Sequence, residues 1–167
     1  GSASAVIAEL RRRGQSNAVA ESHTGGGLRA RLIDVPGASD VVLGGVVAYS
    51  TATKSHLLGV DAQELAAMGP VTEAVAVAMA TGVKSALEAD AVSDFGVATT
   101  GVAGPDPDPA TGQPAGLVFI AVAGPGGKVW TERLGLMGDR TQIRQATVAL
   151  ALGLLERALE LPPSGQL

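Results

Sequence analysis

The stretch AESHTGGGLRARL, residues 20–32, decides the fold that the sequence predicts. It overlaps the apolar run NAVA at 17–20, which predicts a short buried strand, and it continues into a helical pattern over 25–33. Ser22 therefore lies just beyond the carboxyl end of a strand and before a helix, where α/β proteins place their ligands. The segment is either an ordinary strand-to-helix turn or a site in which Ser22 is a nucleophile.

Outward from this unit, the pattern predicts alternating helices and strands, closed by a hairpin and a long helix. The predicted helices are 3–13, 25–33, a short one capped by Ser50 or Thr51 and ended by Gly59, 61–68, 72–89, and one that starts at Asp139. The predicted strands are 17–20, 41–49, 92–99, 117–123 and 128–134. This order predicts a three-layer α/β/α sandwich with a mixed β-sheet. We expect one domain over 3–161, with 1–2 as a tag remnant and 162–167 as a tail.

The composition favours a packed core. Hydrophobic residues make up 46% of the 167 residues and charged residues 17%, which excludes a largely disordered chain. Aromatic residues make up only 2%, so the core must consist mainly of aliphatic side chains. No apolar run approaches the ~20 residues that a membrane span needs, and no export signal is recognisable.

Cysteine and charge exclude further classes. The chain contains no cysteine, so thiol nucleophiles, disulfides and cysteine-based metal sites are excluded. The two histidines, His23 and His56, leave little for a zinc site, and we expect no metal. A formal charge of −4 argues against a nucleic-acid-binding surface. We therefore expect a cytoplasmic protein that binds neither nucleic acid nor membrane.

The glycines after Ser22 favour an anion site. Glycine allows backbone N–H groups to point inward, and the start of a helix favours negative charge, whether a phosphate or a tetrahedral oxyanion. We expect the donors to lie around Thr24, Gly25 and Gly26. The alternative is a plain turn with a serine cap. The segment is neither a GxSxG motif nor a P-loop, so it does not decide the chemistry alone.

Lys54 is the best candidate for the base that a serine nucleophile requires. It falls in the first turn of the predicted helix after Ser50, where the helix dipole disfavours an ammonium group. Lowering a lysine pKa from ~10.4 to ~7.5 requires about 4 kcal/mol, of which a helix terminus supplies only ~0.3–1 kcal/mol. Burial must supply the rest, so we predict Lys54 in a closed pocket against strand 41–49, where Tyr49 can form a hydrogen bond. The alternative is a solvated surface lysine.

Two further segments can contact a ligand. The small-residue loop 99–105 follows a predicted strand and is either a backbone binding loop or a plain turn. Arg140 and Arg144 lie one turn apart at the start of the last helix, where cations are unfavourable unless an anion is near. A phosphate held by Arg140 would be such an anion. For Arg144, a surface pair with Asp139 or another acid is the favoured interpretation.

Four segments taken together resemble, in order and spacing, the CinA C-terminal domain family of nicotinamide mononucleotide (NMN) deamidases. They are AESHTGG, DVPGASDVVLGGVVAYSTATKSHLLGV, TGVAGP and GDRTQIRQATVALAL. The resemblance covers nearly the whole chain after the first predicted helix. It implies a three-layer α/β/α fold, usually dimeric, that hydrolyses the carboxamide of NMN to nicotinate mononucleotide and ammonia without a metal or cofactor, in pyridine nucleotide recycling.

The resemblance also assigns roles to residues. It implies that Ser22, Lys54 and Tyr49 are catalytic. The residues for which it implies substrate binding are Glu21, Thr24, Gly25, Gly26, Gly45, Thr100, Gly101, Ala103, Gly104 and Arg140.

The chain departs from the family pattern at two places. His23 stands where the family usually has cysteine, and we expect its side chain to point away from the substrate. The loop 106–114 reads DPDPATGQP, where the family typically has a glycine-rich segment followed by K-P-V-G. Prolines and Asp108 replace flexible glycines there, and Gln113 replaces the lysine. We expect this loop to be reshaped.

Three hypotheses follow. The leading one is a metal-free amidohydrolase in which Ser22 attacks the amide carbon and neutral Lys54 moves the proton. The second is a nucleotide-binding module of the same fold that has lost turnover, which the altered loop favours. The third is a Ser–His–Asp hydrolase that uses His56 and Asp61.

Overall fold

The computed structural model describes residues 2–87 and 92–163, in which six α-helices and five β-strands form. The helices are α1 Ala3–Arg13, α2 Gly27–Ile33, α3 Thr51–Leu58, α4 Ala62–Met68, α5 Glu73–Ala86 and α6 Arg140–Ala158. The strands are β1 Asn17–Glu21, β2 Val42–Val47, β3 Phe95–Gly101, β4 Leu117–Ala123 and β5 Val129–Gly135. None of these helices has the length and apolar character that crossing a bilayer requires.

The five strands form one sheet in the order β2-β1-β3-β4-β5. β1 is parallel to both β2 and β3, so the carboxyl ends of these three strands meet at one edge of the sheet. β4 and β5 form the predicted hairpin, and β4 runs antiparallel to β3. The predicted mixed sheet is confirmed, and its parallel half brings the ends of β1, β2 and β3 together.

Helices cover both faces of the sheet, which confirms the three-layer α/β/α sandwich. One core lies between the sheet and helices α1, α2 and α6, and the second lies between the sheet and helices α3, α4 and α5. The second core contains many alanines, and two glycines bring its backbones into close contact. A Cβ on Gly82 would lie 1.9 Å from the Leu58 carbonyl oxygen, and one on Gly96 would lie 2.0 Å from that of Ala80.

The capping residues in the sequence predicted the starts of these helices correctly. Ser50 caps α3, because its Oγ accepts a hydrogen bond from the Thr53 N–H. Asp139 and Gln142 form the predicted capping box at α6. Ser2, which the sequence assigned to a tag remnant, caps α1 by accepting from the Ala5 N–H.

Other boundaries were wrong by a few residues. The helix predicted over 25–33 begins at Gly27, because Gly25 and Gly26 have left-handed φ angles of 64° and 102°. The strand predicted over 41–49 is Val42–Val47, and that predicted over 92–99 is Phe95–Gly101. The helix predicted over 72–89 ends at Ala86. Residues 88–89 of that helix, 164–167 of the predicted tail and Gly1 lie outside the described residues.

Candidate active site

Ser22 lies at the carboxyl end of β1, between the ends of β2 and β3. Its N–H donates to the Thr99 carbonyl oxygen on β3 at 3.1 Å, and its own carbonyl accepts from the Gly25 N–H at 3.1 Å. The residue is 7% exposed. The turn therefore holds the Ser22 hydroxyl in a fixed position, largely out of bulk water, at the edge of the sheet where the parallel strands end.

Lys54 reaches the Ser22 hydroxyl from α3. Its side chain is fully buried, and its Nζ lies 2.9 Å from the Ser22 Oγ. Two main-chain oxygens at the end of β2 hold the amine: Nζ donates to the Ala48 oxygen at 2.7 Å and to the Tyr49 oxygen at 3.1 Å. A neutral amine has two N–H groups and one lone pair. With both N–H groups on these carbonyls, the lone pair is left to accept the Ser22 hydroxyl proton.

Burial sets the protonation state of this amine. Desolvation disfavours the charged form and lowers the pKa of Lys54 from 10.5 to about 8. No carboxylate forms an ion pair with Lys54 among the described residues, so nothing there offsets this effect. The predicted burial of Lys54 is confirmed. An amine with a pKa near 8 is partly neutral at physiological pH, as a general base requires.

A cavity of about 320 Å³ opens beside this pair. Its lining includes Ser22, Tyr49, Lys54, Thr100, Gly101, Ala103, Gly104 and Arg140, all of which the sequence predicted as site residues. The lining residues that the sequence did not assign to the site are His23, Pro70, Val71, Val102, Asp106, Pro107, Asp108 and Pro109. A larger open cleft of about 580 Å³ at the amino end of β1 contains no comparable nucleophile and base.

Glu21 does not line the cavity, contrary to its predicted role in substrate binding. Its carboxylate caps α2 instead: Oε1 accepts from the Leu28 N–H at 2.9 Å, and Oε2 accepts from the Arg29 N–H at 3.0 Å. The Thr24 hydroxyl also donates to Glu21, at 2.6 Å. The amino end of α2 is thus occupied by a side chain of the protein and is not the anion site that the glycine-rich turn indicated.

The turn glycines also have structural roles. The Gly25 N–H is used inside the turn, and neither Gly25 nor Gly26 lines the cavity. The N–H groups of His23 and Thr24 make no hydrogen bond to the described residues, and they directly follow Ser22 in the chain. The Gly26 N–H is likewise unbonded among the described residues, and Thr24, which was predicted to bind substrate, does not line the cavity either. The His23 N–H, with that of Thr24 beside it, is therefore the donor that we assign to an oxyanion at the Ser22 hydroxyl.

Gly45 lies in β2 and is not among the residues that line the cavity, contrary to its predicted role in substrate binding. A Cβ at this position would lie 3.1 Å from the Val19 oxygen and 3.2 Å from the Arg29 Cδ. A larger side chain would not fit at position 45, because β1 and a side chain of α2 pack closely against it. A glycine in a strand signals close approach, and here the approaching group belongs to the protein.

Arg140 and Tyr49 join two sides of the cavity. Arg140 Nη1 donates to the Gly104 oxygen at 2.6 Å, and Nη2 donates to the Tyr49 hydroxyl at 3.2 Å. Tyr49 is 62% exposed, and it contacts Lys54 through its main-chain oxygen, not through its hydroxyl. The guanidinium lines the cavity, where it is available to an anionic group of a ligand.

The sequence favoured an ion pair between Arg144 and an acid, but Arg144 forms no such pair within the described residues. Its Nε donates to the His23 oxygen at 2.9 Å and its Nη2 to the Thr24 oxygen at 3.3 Å. Arg144 therefore attaches α6 to the turn after Ser22. Because the His23 carbonyl and the Thr24 N–H belong to one peptide plane, this contact also fixes the orientation of the Thr24 N–H.

His23 is among the residues that line the cavity, and its ring is held against α6; that the ring points away from a substrate stays a prediction. Its Nε2 lies 2.9 Å from the Thr147 hydroxyl, which itself donates to the Ile143 oxygen at 2.7 Å. Thr147 therefore accepts, and the proton of neutral His23 lies on Nε2. Burial, and then the nearby Arg144, Arg140 and Lys54, lowers the pKa of His23 to about 4. His23 is neutral at physiological pH.

The residues of the Ser–His–Asp hypothesis are not brought together. His56 is exposed on α3 and does not line the cavity. Asp61 caps α4, accepting from the N–H groups of Gln63 and Glu64. The described residues also contain no group of three or more histidines and carboxylates placed to hold a metal ion.

Comparison with known proteins agrees with this architecture. The family model described as the CinA C-terminal domain matches residues 1–159. A CinA-like protein of Frankia casuarinae is 47% identical over 162 residues, which cover 97% of this chain and 36% of that protein. A protein of Desulforamulus reducens named putative competence-damage inducible protein is 46% identical over 147 residues, 88% of this chain and 34% of its own length. The chain thus spans about a third of these relatives.

Solved structures share the whole fold. The competence/damage inducible protein CihA of Agrobacterium tumefaciens is 34% identical with a TM-score of 0.85, over 95% of this chain and 93% of that one. A CinA superfamily protein of Klebsiella pneumoniae is 32% identical with a TM-score of 0.87, over 95% of each chain.

Proposed function

Because the chain belongs to the CinA C-terminal domain family, we propose that it is an amidohydrolase that converts NMN to nicotinate mononucleotide and ammonia through Ser22 and Lys54. The observation that carries the proposal is the 2.9 Å contact between the Lys54 Nζ and the Ser22 Oγ. The buried amine there has its N–H groups on two carbonyls, so its lone pair is directed to the hydroxyl. No other contact between a nucleophile and a base lines the cavity within the described residues.

The first half of the proposed reaction releases ammonia. Ser22 Oγ attacks the carboxamide carbon while neutral Lys54 takes the hydroxyl proton. The N–H groups of His23 and Thr24 stabilise the oxyanion of the tetrahedral intermediate. When the intermediate collapses, the C–N bond breaks and Lys54 returns its proton to the departing nitrogen, which leaves as ammonia. An ester to Ser22 remains.

The second half releases the acid. Lys54, neutral again, takes a proton from a water molecule that attacks the ester carbon. The C–O bond to Ser22 breaks, Lys54 gives the proton back to Oγ, and nicotinate mononucleotide departs. In this scheme Arg140 binds the phosphate. The N–H groups of Ala103 and Gly104, which donate to none of the described residues, bind the rest of the nucleotide. The scheme uses no metal or cofactor, and we propose a homodimer or a higher homo-oligomer acting in pyridine nucleotide recycling.

One assay tests the activity. Purified protein is incubated with NMN, and mass spectrometry follows nicotinate mononucleotide while an enzymatic assay follows ammonia. The proposal expects both products in equal amounts. Affinity for NMN without either product would instead identify a nucleotide-binding module that has lost turnover.

We expect the activity to rise with pH. Only the neutral form of Lys54 accepts the serine proton, so kcat/KM should fall about tenfold for each pH unit below the pKa of about 8 and level off above pH 9. The pKa of His23, at about 4, lies outside this range. The measurement is kcat/KM for NMN between pH 5.5 and 10. A rise in kcat/KM centred near pH 6.5 would point to an ordinary histidine as the base and contradict the assignment of Lys54 as the base.

Replacing His56 by alanine should leave kcat/KM for NMN within about twofold of the wild type. The side chain is exposed on α3, outside the cavity, so it has no route to the Ser22 hydroxyl. Steady-state kinetics of the variant beside the wild type provide the check. Loss of activity in His56→Ala would revive the Ser–His–Asp hypothesis and argue against Lys54.

A further inference from the structure

One wall of the cavity carries two carboxylates. Asp106 and Asp108 line the cavity together with Pro107 and Pro109, in the loop that follows β3. The mechanism above uses none of these residues. Because the loop lines the same cavity as Ser22 and Lys54, its charges act on any molecule that reaches the reacting pair.

The wall is held in place without a ligand. Asp108 Oδ1 accepts from the N–H groups of Ala110 at 2.8 Å and Thr111 at 3.2 Å. The Asp108 N–H donates to the main-chain oxygen of Gln113 at 2.8 Å. Gln113 Nε2 in turn donates to the Val71 oxygen at 2.7 Å. Since Val71 also lines the cavity, these bonds fasten the loop to the neighbouring wall. The loop and the Asp108 carboxylate are therefore in position before a substrate arrives.

The negative charge of this wall is not paired. Within the described residues, neither Asp106 nor Asp108 takes part in an ion pair, and Asp106 has no side-chain hydrogen bond. Arg140, which lines the same cavity, donates to the Gly104 oxygen and the Tyr49 hydroxyl and not to these carboxylates. A cavity that is lined by two unpaired carboxylates and by an exposed aromatic residue, Tyr49, favours a cationic ligand group, which an aromatic face also attracts.

Building on the proposed function, we propose that Asp106 and Asp108 select substrates by the fixed positive charge of an N-substituted pyridinium ring. NMN carries that charge next to the carboxamide that Ser22 attacks. Its dihydro form has the same phosphate, ribose and carboxamide, but its ring is uncharged. Both molecules carry the same phosphate, on which the two carboxylates act alike, but only the first has a ring charge that they attract. They therefore determine specificity for ring charge and not for ring shape.

The test is equilibrium binding, which needs no turnover. Calorimetry on the Ser22→Ala protein gives Kd for NMN and for dihydro-NMN at pH 8 and low salt. We expect the dihydro form to bind at least tenfold more weakly. Adding Asp106→Asn or Asp108→Asn should reduce this ratio about threefold each, and the double substitution more, because only NMN loses an attraction to its ring. Asparagine at 108 keeps the oxygen that accepts from Ala110 and Thr111, so the loop remains in place.

Asp34→Asn is the matched control, because it removes one exposed carboxylate at the end of α2, outside the cavity. Its ratio of the two Kd values should equal that of the Ser22→Ala protein alone. Equal binding of the two nucleotides, or parallel loss of both in Asp106→Asn, would overturn the proposal. Failure of the wild type to release ammonia from NMN would refute the proposed activity. The Kd values do not depend on turnover, so they would still decide between the charged and the uncharged ring.

Discussion

Replacing Ser22 by alanine is expected to lower kcat for ammonia release from NMN by roughly 10³–10⁶-fold, with Kd for NMN changed by less than about threefold. The hydroxyl is the only group removed, and without it no ester to residue 22 can form. Mass spectrometry of product formation over hours measures the residual rate, and calorimetry measures binding.

The control for this variant is Ser55→Ala on α3. Ser55 follows Lys54 in the chain, but its side chain forms no hydrogen bond with the described residues and does not line the cavity. It should retain wild-type kcat within about twofold. Activity in Ser22→Ala within tenfold of the wild type would show that the hydroxyl is not the nucleophile, and the mechanism would have to be abandoned.

Replacing Lys54 by methionine is expected to reduce kcat by at least about 10³-fold and to remove the alkaline rise of the activity. A methionine side chain of similar length fills the buried space of the lysine side chain but cannot accept the serine proton. Exogenous amines at high concentration are not expected to restore the rate, because the space is filled. Lys128→Met, at an exposed position outside the cavity, is the matched control and should behave as the wild type.

The same variant makes a stability prediction whose sign follows from the pKa of Lys54. Folding lowers that pKa from 10.5 to about 8, so between these values the unfolded chain binds a proton that the folded chain does not. The free energy of unfolding of the wild type should therefore rise, relative to Lys54→Met, by up to about 1.4 kcal/mol per pH unit from pH 8 towards pH 10.5. Denaturant unfolding of both proteins at pH 7, 8, 9 and 10 gives this difference. A constant difference would mean that the amine is not desolvated.

Several parts of the fold are readable from the chain because neighbours in sequence decide them. Ser50 and Asp139 cap their helices through N–H groups three residues away, and period-two and helical patterns separate strands from helices. The position of Ser22 at a strand end follows from the same local signals. The burial of Lys54 was also predicted, since only desolvation is large enough to make a lysine a base near neutral pH.

Local signals failed where the partner of a polar group lies on another element. The glycine-rich turn indicated an anion site at the amino end of α2, but Glu21 fills that position from β1. Gly45 was predicted to contact substrate, yet the packing of β1 and Arg29 requires its small size. The same residue type serves a ligand or a neighbouring backbone, and the pattern alone does not distinguish them.

The sequence by itself determined the order of helices and strands, the caps and the residue types available for chemistry, because hydrogen bonds and periodicity within a few residues set these features. Only the tertiary structure decided which groups meet. Ser22 and Lys54 lie 32 positions apart, and Asp106 reaches their cavity from the loop after β3. Their contacts depend on how the sheet, α3 and that loop pack against one another, and packing is a property of the whole chain that no short stretch of sequence contains.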